Sequence, residues 1–204
     1  GDFKPNRVKR FSVRPDGAGF ALDWKEPILQ SRHRNFRPVD VKQGPDGAIY
    51  IVDWYNPVTC HQDDAYRDPK RDKAHGRIWR VVHTESARSV PRPKNLAKAP
   101  IGEVLEALKS PEHFSRYQAK RELTNRDPHT AAQQLDHFVA ALDPKDPLYG
   151  HHLYEALGAL ETLEVIRPGL LERLLQARDH RARAYAARVV GRWHDRLEDP
   201  LGLL

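Results

Sequence analysis

The segment FRPVDVKQGPDGAIYIVDWYNP, residues 36–57, decides how the N-terminal half is read. PVDVK (38–42) alternates apolar and polar side chains and carries the β-branched content of a short strand. GPDG (44–47) follows as a tight turn, with proline presetting φ and glycine tolerating positive φ. AIYIV (48–52) is the most strongly β stretch of the chain, and its unbroken apolar run predicts burial on both faces. A closing strand is predicted over GRIWRVV (76–82), with Ile78 and Arg80 on one face and Trp79 and Val81 on the other. A polar loop of 24 residues, Asp53 to Gly76, comes before it.

Upstream, RVKRFSV (7–13) alternates and offers Val8, Phe11 and Val13 for burial. PDGAG (15–19) supplies turn chemistry and FALDW (20–24) returns, so a hairpin is predicted. The PDG turn occurs at both 15–17 and 45–47, which suggests a repeated hairpin grammar. Strands joined by tight turns, with a long loop before the last, have the pattern of one blade of a β-propeller. Propellers close with typically four to eight blades, and a lone blade leaves two open edges. The expectation is a four- to five-stranded antiparallel sheet that belongs to something larger or docks on its own helices.

TESARSVPRPKNLAKAP (84–100) is rich in Pro, Ala and Lys and reads as a linker. Helical signals dominate beyond it. Arg116, Ala119 and Leu123 recur as Arg183, Ala186 and Val190, an offset of 67 residues and about twice a helix-hairpin period. Three antiparallel helix pairs are predicted near 101–125, 128–163 and 167–197. Ser110 with Pro111, Asp143 with Pro144, and Asp179 serve as start signals. Small alanines on the second helix of each pair allow close approach, the grammar of a HEAT-like solenoid. The predicted class is α+β, β then α: a propeller-blade-like sheet over 1–83, a linker over 84–100, and helical repeats over 101–204.

Composition narrows the functional classes. Among 204 residues, 34 Lys and Arg face 28 Asp and Glu, a net charge of +6. Basic clusters at 32–34, 70–71 and 181–183 are short and dispersed, and no nucleic-acid reading motif accompanies them. A basic nucleic-acid-binding module is therefore only a third reading, one that predicts steep salt dependence. No apolar run reaches the roughly 18 residues of a membrane span. No charged n-region followed by an apolar h-region marks a signal peptide in this chain. The single cysteine, Cys60, forms no disulfide within the chain and completes neither a CxxC zinc site nor a CxxCH haem site.

The loop DWYNPVTCHQDDAYRDPKRDKAHG (53–76) gathers the chemistry. Loops of such length are functional or disordered more often than structural filler. Three readings stay open from its residues. Asp and His side chains at strand ends suit a metal, although neither DxDxDG nor HExxH spacing is present, and no metal ligand set is assigned. Arg37, Arg67, Arg71 and Arg77 suit bidentate recognition of an anionic ligand. Alternatively Arg67-Asp68 and Arg71-Asp72 pair with the neighbouring strands and pin the loop, while Asp40 and Asp53 cap turns. His151 and His152 are adjacent on a predicted helix, so they point about 100° apart and do not converge on one ion. Tyr117, Tyr154 and Tyr185 are predicted to pack in the helical core. No GxSxG, P-loop, GxGxxG or paired-carboxylate signature occurs, and no catalytic residue is assigned.

FRPVDVKQGPDGAIYIVDWYNP, then His61, then RDPKRDKAHGRIWRV (67–81) resembles the C-terminal propeller blade of the "membrane-bound dehydrogenase" proteins of planctomycetes and related bacteria. Those are secreted multidomain proteins. Their propeller is similar to that of the PQQ-dependent glucose and sorbosone dehydrogenases. HEAT-like repeats follow it, and often a c-type cytochrome. The resemblance is strong over residues 1 to about 83, and the order of domains agrees through residue 204. It implies a periplasmic or exported setting and sugar or alcohol oxidation with electrons passed to haem c. PQQ and Ca²⁺ would belong to the parent protein, and the partners would be the remaining propeller blades, a protein partner or the cytochrome domain. The motif positions Arg37, Asp40, Asp53, Asn56, His61, Arg67, Arg71, His75 and Arg77 are carried over as cofactor-contacting candidates. Trp54, Asp68, Asp72 and Gly76 accompany them. Cys60 departs from the small or apolar residue usual there. The expected function is a structural and interaction segment, its solenoid positioning the propeller against an electron acceptor. The alternative is part of a cofactor pocket in a PQQ-dependent oxidoreductase.

Overall fold

The structure, a computed structural model, describes Lys4 and residues 6–59, 67–84 and 94–204. Antiparallel strands fill the N-terminal half and helices the C-terminal half, so the class is α+β with β before α. The chain divides into two compact units, Gly1–Arg92 and Pro93–Leu204.

In the first unit, β1 (Arg7–Asp16) and β2 (Gly19–Gln30) form a two-stranded ribbon. Strands β3 (Pro38–Gln43), β4 (Ile49–Asp53) and β5 (Arg77–Val81) form a second sheet in that order. All neighbours are antiparallel. The expected single sheet is thus two sheets. The ladder of β2 stops at Gln30, and side-chain bonds hold the base of the ribbon beyond it. The Asn6 amide donates to the carbonyls of His33 at 3.0 Å and Phe36 at 2.8 Å. Both PDG turns end in a left-handed glycine, Gly17 at φ 57° and Gly47 at φ 73°, a region open to residues without Cβ.

The three-stranded sheet packs one face on a small core. Val8, Phe36 and Ile51 are buried there, with Ile28, Leu29, Val41, Ile49 and Val81 around them. Residues of β4 were expected to be covered on both sides. Instead the alternation of the strand decides: Ile51 is fully buried, while Val52 points to the opposite face beside an exposed Ile78.

The ribbon is divided by an irregularity. Val8 pairs with Leu29, but Arg10 pairs with Lys25, so residues 26–28 of β2 lie opposite Lys9 alone. Pro27 sits in this interruption, where a missing amide donor costs no ladder bond. Beyond it, Phe11, Val13 and Pro15 pair with Trp24, Leu22 and Phe20 on one face. Arg10, Ser12 and Arg14 occupy the other. The apolar face stays open to solvent, from 42% at Phe11 to 71% at Phe20.

In the second unit, α1 (Ile101–Glu106) continues into a 3₁₀ turn, and α2 (His113–Leu123) follows. Then come α3 (Pro128–Ala140), α4 (Tyr149–Thr162), α5 (Pro168–Leu175) and α6 (His180–Trp193). Asp127 caps α3 by accepting from the Thr130 amide, with Pro128 in the first turn. Asp179 caps α6 through the Arg181 amide. Leu108, Leu123, Leu135, Leu157, Leu171, Leu174 and Trp193 are fully buried in one continuous core. Leu96 joins that core and Ala99 packs on it, so helical packing begins inside the stretch read as linker. The Ala99 carbonyl also accepts from Arg126 at 2.9 Å. Residues 85–93 of that stretch lie outside the described residues.

His152 is buried and His151 more exposed, as their adjacency on α4 requires. Tyr154 and Tyr185 pack together with ring centroids 4.5 Å apart. Tyr117, expected in the core, is 47% exposed beside Arg121.

The 67-residue offset returns as geometry. Arg116 Nη1 donates to the carbonyls of Ser110 and Pro111, both at 2.8 Å. Arg183 Nη1 donates to those of Ala177 and Arg178, at 2.7 and 2.9 Å. Each acceptor stands at the same offset as its arginine.

Candidate functional site: a carboxylate hub at the end of β4

Asp53 ends β4 and is 1% exposed. The register sets Arg77 opposite it and Trp79 opposite Ile51, so Ile51, Asp53, Arg77 and Trp79 share one face. Its Oδ1 accepts from the backbone amides of Arg37 at 2.8 Å and Tyr55 at 3.0 Å. Its Oδ2 accepts from Arg77 Nε at 2.8 Å and from Trp79 Nε1 at 3.0 Å, and Arg77 Nη2 also lies 2.8 Å from it in the ion pair. Burial pushes the carboxyl pKa up, but these donors together outweigh it and hold the group below the usual carboxylate range.

Arg37 precedes β3 and is buried. Its Nε donates to the Asn56 carbonyl at 2.9 Å, and its Nη1 to Asn6 Oδ1 at 2.9 Å. Burial, with Arg34 nearby, lowers its pKa against the opposing pull of Asp53. Asn56 is fully buried and spans two segments. Its amide donates to the Asp72 carbonyl at 3.1 Å, and its Oδ1 accepts from the Val58 amide at 3.1 Å. Asp72 accepts the amides of Ala74 and His75 and meets His75 Nδ1 at 2.9 Å, which orients that imidazole. The three contacts draw the Asp72 pKa down against a weaker desolvation effect.

Aromatic rings cover this hub. Tyr55 adopts φ 54°, a left-handed conformation costly for a side chain with Cβ. The turn lets its amide reach Asp53. The Arg77 guanidinium lies 4.1 Å from the Tyr55 ring centre and 4.9 Å from that of Trp79. His33 stacks on Tyr55 at 5.6 Å, and His75 approaches edge-on at 6.1 Å.

The fold therefore gathers Arg37, Asp53, Asn56 and Arg77 into one network, with His75 at its rim. Arg71 packs separately over Trp54, at 5.3 Å. Asp40 lies on the opposite face of β3, accepting from the Val41 amide and facing Lys42 at 3.5 Å. Arg67 is exposed and makes no hydrogen bond or ion pair with the described residues, while Asp68 caps the Lys70 amide. Cys60 and His61 lie outside the described residues. Sequence reasoning assigned no site role to Asn6 or Trp79. The alternation of β5 set Trp79 on the face of Asp53's partner, a usable signal. Nothing local announced Asn6, which acts on residues about thirty positions away.

Residues 4–85 match the model of a domain of unknown function, DUF7133. The matched segment takes in both sheets and the whole hub. Comparison with curated proteins and with solved structures gave no match.

Chemically, the hub in the matched segment is a saturated carboxylate. Asp53 receives from two amides, a guanidinium and an indole. The guanidiniums of Arg37 and Arg77 are engaged in return. Among the described residues no group of three or more His, Cys, Asp or Glu side chains is placed to hold a metal ion. Such a set fixes backbone geometry, and both oxygens of Asp53 are already accepting.

Proposed function

We propose that this chain is a structural and interaction segment of a larger, exported protein related to the PQQ-dependent dehydrogenases. The β unit contributes a blade-like sheet, and the HEAT-like helices position it against an electron acceptor or another protein partner. The observation that carries this reading is the ribbon face of Phe11, Val13, Phe20, Leu22 and Trp24, all at least 42% exposed. Two-stranded ribbons are marginal alone in water, and a continuous exposed apolar face marks an interaction surface. Among the described residues β3 and β5 also have one strand neighbour each, so the sheet keeps two open edges.

PQQ carboxylates need guanidinium groups with donors to spare. Two of the residues carried over for that role, Arg37 and Arg77, do not fit, because they are turned inward on Asn6, Asn56 and Asp53. Ca²⁺ would have to displace the donors that already fill both oxygens of Asp53. No chemical step is assigned to this chain.

Hydrogen exchange tests the reading. Amides of residues 7–30 should exchange much more slowly in the longer parent polypeptide than in this chain alone. Equal exchange in both would overturn it. A parallel absorbance titration with PQQ and Ca²⁺ should show no saturable change at high micromolar cofactor. Saturable binding that is lost on Arg71→Ala or Arg77→Ala would replace it with the cofactor-pocket reading.

A further inference from the structure

The helical unit solves one packing problem twice, and the second solution is incomplete. On α2, Arg116 is gripped by the two carbonyls of the turn before it and donates through Nε to Glu155 Oε1 of α4 at 2.8 Å. Lys120, one turn later, meets the other oxygen of Glu155 at 2.6 Å. Glu155 is nearly buried by this, and Arg116 keeps 12% of its side-chain exposure. Helix α4 is thereby fastened across α2.

On α6, Arg183 has the same grip on the turn before it. The guanidinium is held in the pose that on α2 receives a carboxylate, yet Arg183 is exposed and forms no ion pair with the described residues. Its direction follows from helix geometry. The α4 side of α6 is set by Tyr185, Arg188 and Arg192. Tyr185 donates to Glu161 at 2.5 Å, and both arginines reach Glu161 at 2.9 and 3.5 Å. At about 100° per residue, Arg183 lies roughly 140–180° around the helix from these three. It points away from α4. Where Lys120 would fall at the same offset stands Ala187, a small side chain beside the preset guanidinium.

We propose that the outer face of α6 is the docking surface for an acidic amphipathic helix of a partner protein. The partner's carboxylate takes at Arg183 the place that Glu155 takes at Arg116. The commitment to an acidic helix rests on charge complementarity with a guanidinium already fixed, and on the internal precedent of α4 on α2. A fixed fork loses little side-chain freedom on binding, so the contact favours a planar carboxylate. The inference rests on the interaction-segment reading and names one surface and the chemistry of its partner.

The test uses the whole chain and a lactam-bridged helical peptide copying residues 146–164, the segment that already performs this docking internally. Saturable binding is expected by calorimetry. Arg183→Gln in the chain, or Glu155→Gln in the peptide, should each weaken it at least about fivefold. The charge swap, Arg183→Glu with peptide Glu155→Arg, should recover binding. Absence of saturable binding at millimolar peptide, or binding indifferent to Arg183→Gln, overturns the proposal. So does a salt-sensitive oligonucleotide gel shift that requires Arg183 while the peptide fails. Circular dichroism of Arg183→Gln should match the parent chain, since the side chain is exposed. Ribbon protection in the parent protein is measured independently, so a failure at Arg183 leaves that reading standing or falling on its own.

Discussion

The two units hold themselves together by opposite means. The helical unit buries a long run of leucines, with its charges arranged at the seams between helices. Among its described residues the β unit gathers only a small buried apolar cluster, Val8, Phe36 and Ile51, and leaves many of its large apolar side chains in solvent. A core that small offers little hydrophobic stabilisation. The β unit is instead tied by a buried polar knot at Asp53, whose carboxylate accepts from two backbone amides, the Arg77 guanidinium and the Trp79 indole. The contrast teaches that buried polarity in this chain replaces hydrophobic mass in one half and orients helices in the other.

The sharpest way to break that contrast is Asp53→Ala. It strands the Arg77 guanidinium, the Trp79 indole and two backbone amides, and should destabilise the β unit by about 3–5 kcal/mol. Denaturant unfolding followed by tryptophan fluorescence reads this, since Trp24, Trp54 and Trp79 all lie in that unit. In the helical unit Leu157→Ala should cost about 2–5 kcal/mol through the cavity it leaves, seen by circular dichroism at 222 nm. If Asp53→Ala proves milder than Leu157→Ala, the polar knot is not what replaces the missing core.

Acid sharpens the comparison further. The Asp53 pKa is depressed by folding, so its contribution is complete above the unfolded carboxyl value, about 3.9, and is lost as pH falls through the lower folded value. The β unit should keep its tryptophan signal through pH 4 and lose it only in stronger acid. Asp53→Asn should remove that dependence.

Gly158→Ala is expected to have a small effect. A Cβ there would meet the Tyr185 hydroxyl at 3.2 Å and Lys120 Nζ at 3.6 Å, so the hydroxyl would have to give by a few tenths of an ångström against its bond to Glu161. The gain in helix propensity, about 1 kcal/mol, opposes that crowding. The net change should stay within about 1 kcal/mol, read by thermal unfolding. Smallest of all, Phe20→Ser on the open ribbon should alter the stability of this chain by no more than about 0.5 kcal/mol. A larger loss would mean that the ribbon face is covered within the chain itself.

Much of the fold was legible because its signals are local. The PDG turns, the alternation of β5 and the Asp179 cap each act within a few residues. The 67-residue offset was legible too, and it proved to mark a repeated arginine contact. The division into two sheets was not, and the Asn6 contacts at the base of the ribbon join residues about thirty positions apart. Nor was the openness of the ribbon, since an alternating strand reads alike whether its apolar face is covered or bare. At the candidate site the residue types stood out, but their direction did not. Asp53 and Arg77 look the same in sequence whether they face a ligand or each other. Glu155 and Glu161 gave no sign of burial, since each is neutralised by cations on other helices.

The interruption at Pro27 gives the ribbon a mechanical character. Below it the strands grip the core through Val8 and Leu29; above it the apolar stripe faces the other way. The free arm from Arg10 to Asp16 spans six residue steps, about 20 Å at strand rise. A body seated on that stripe would be held at arm's length from the core and on its far side. The ribbon is therefore a bracket, and the stiffness of its two strands, rather than the area of the core, would set how firmly the two bodies keep their spacing.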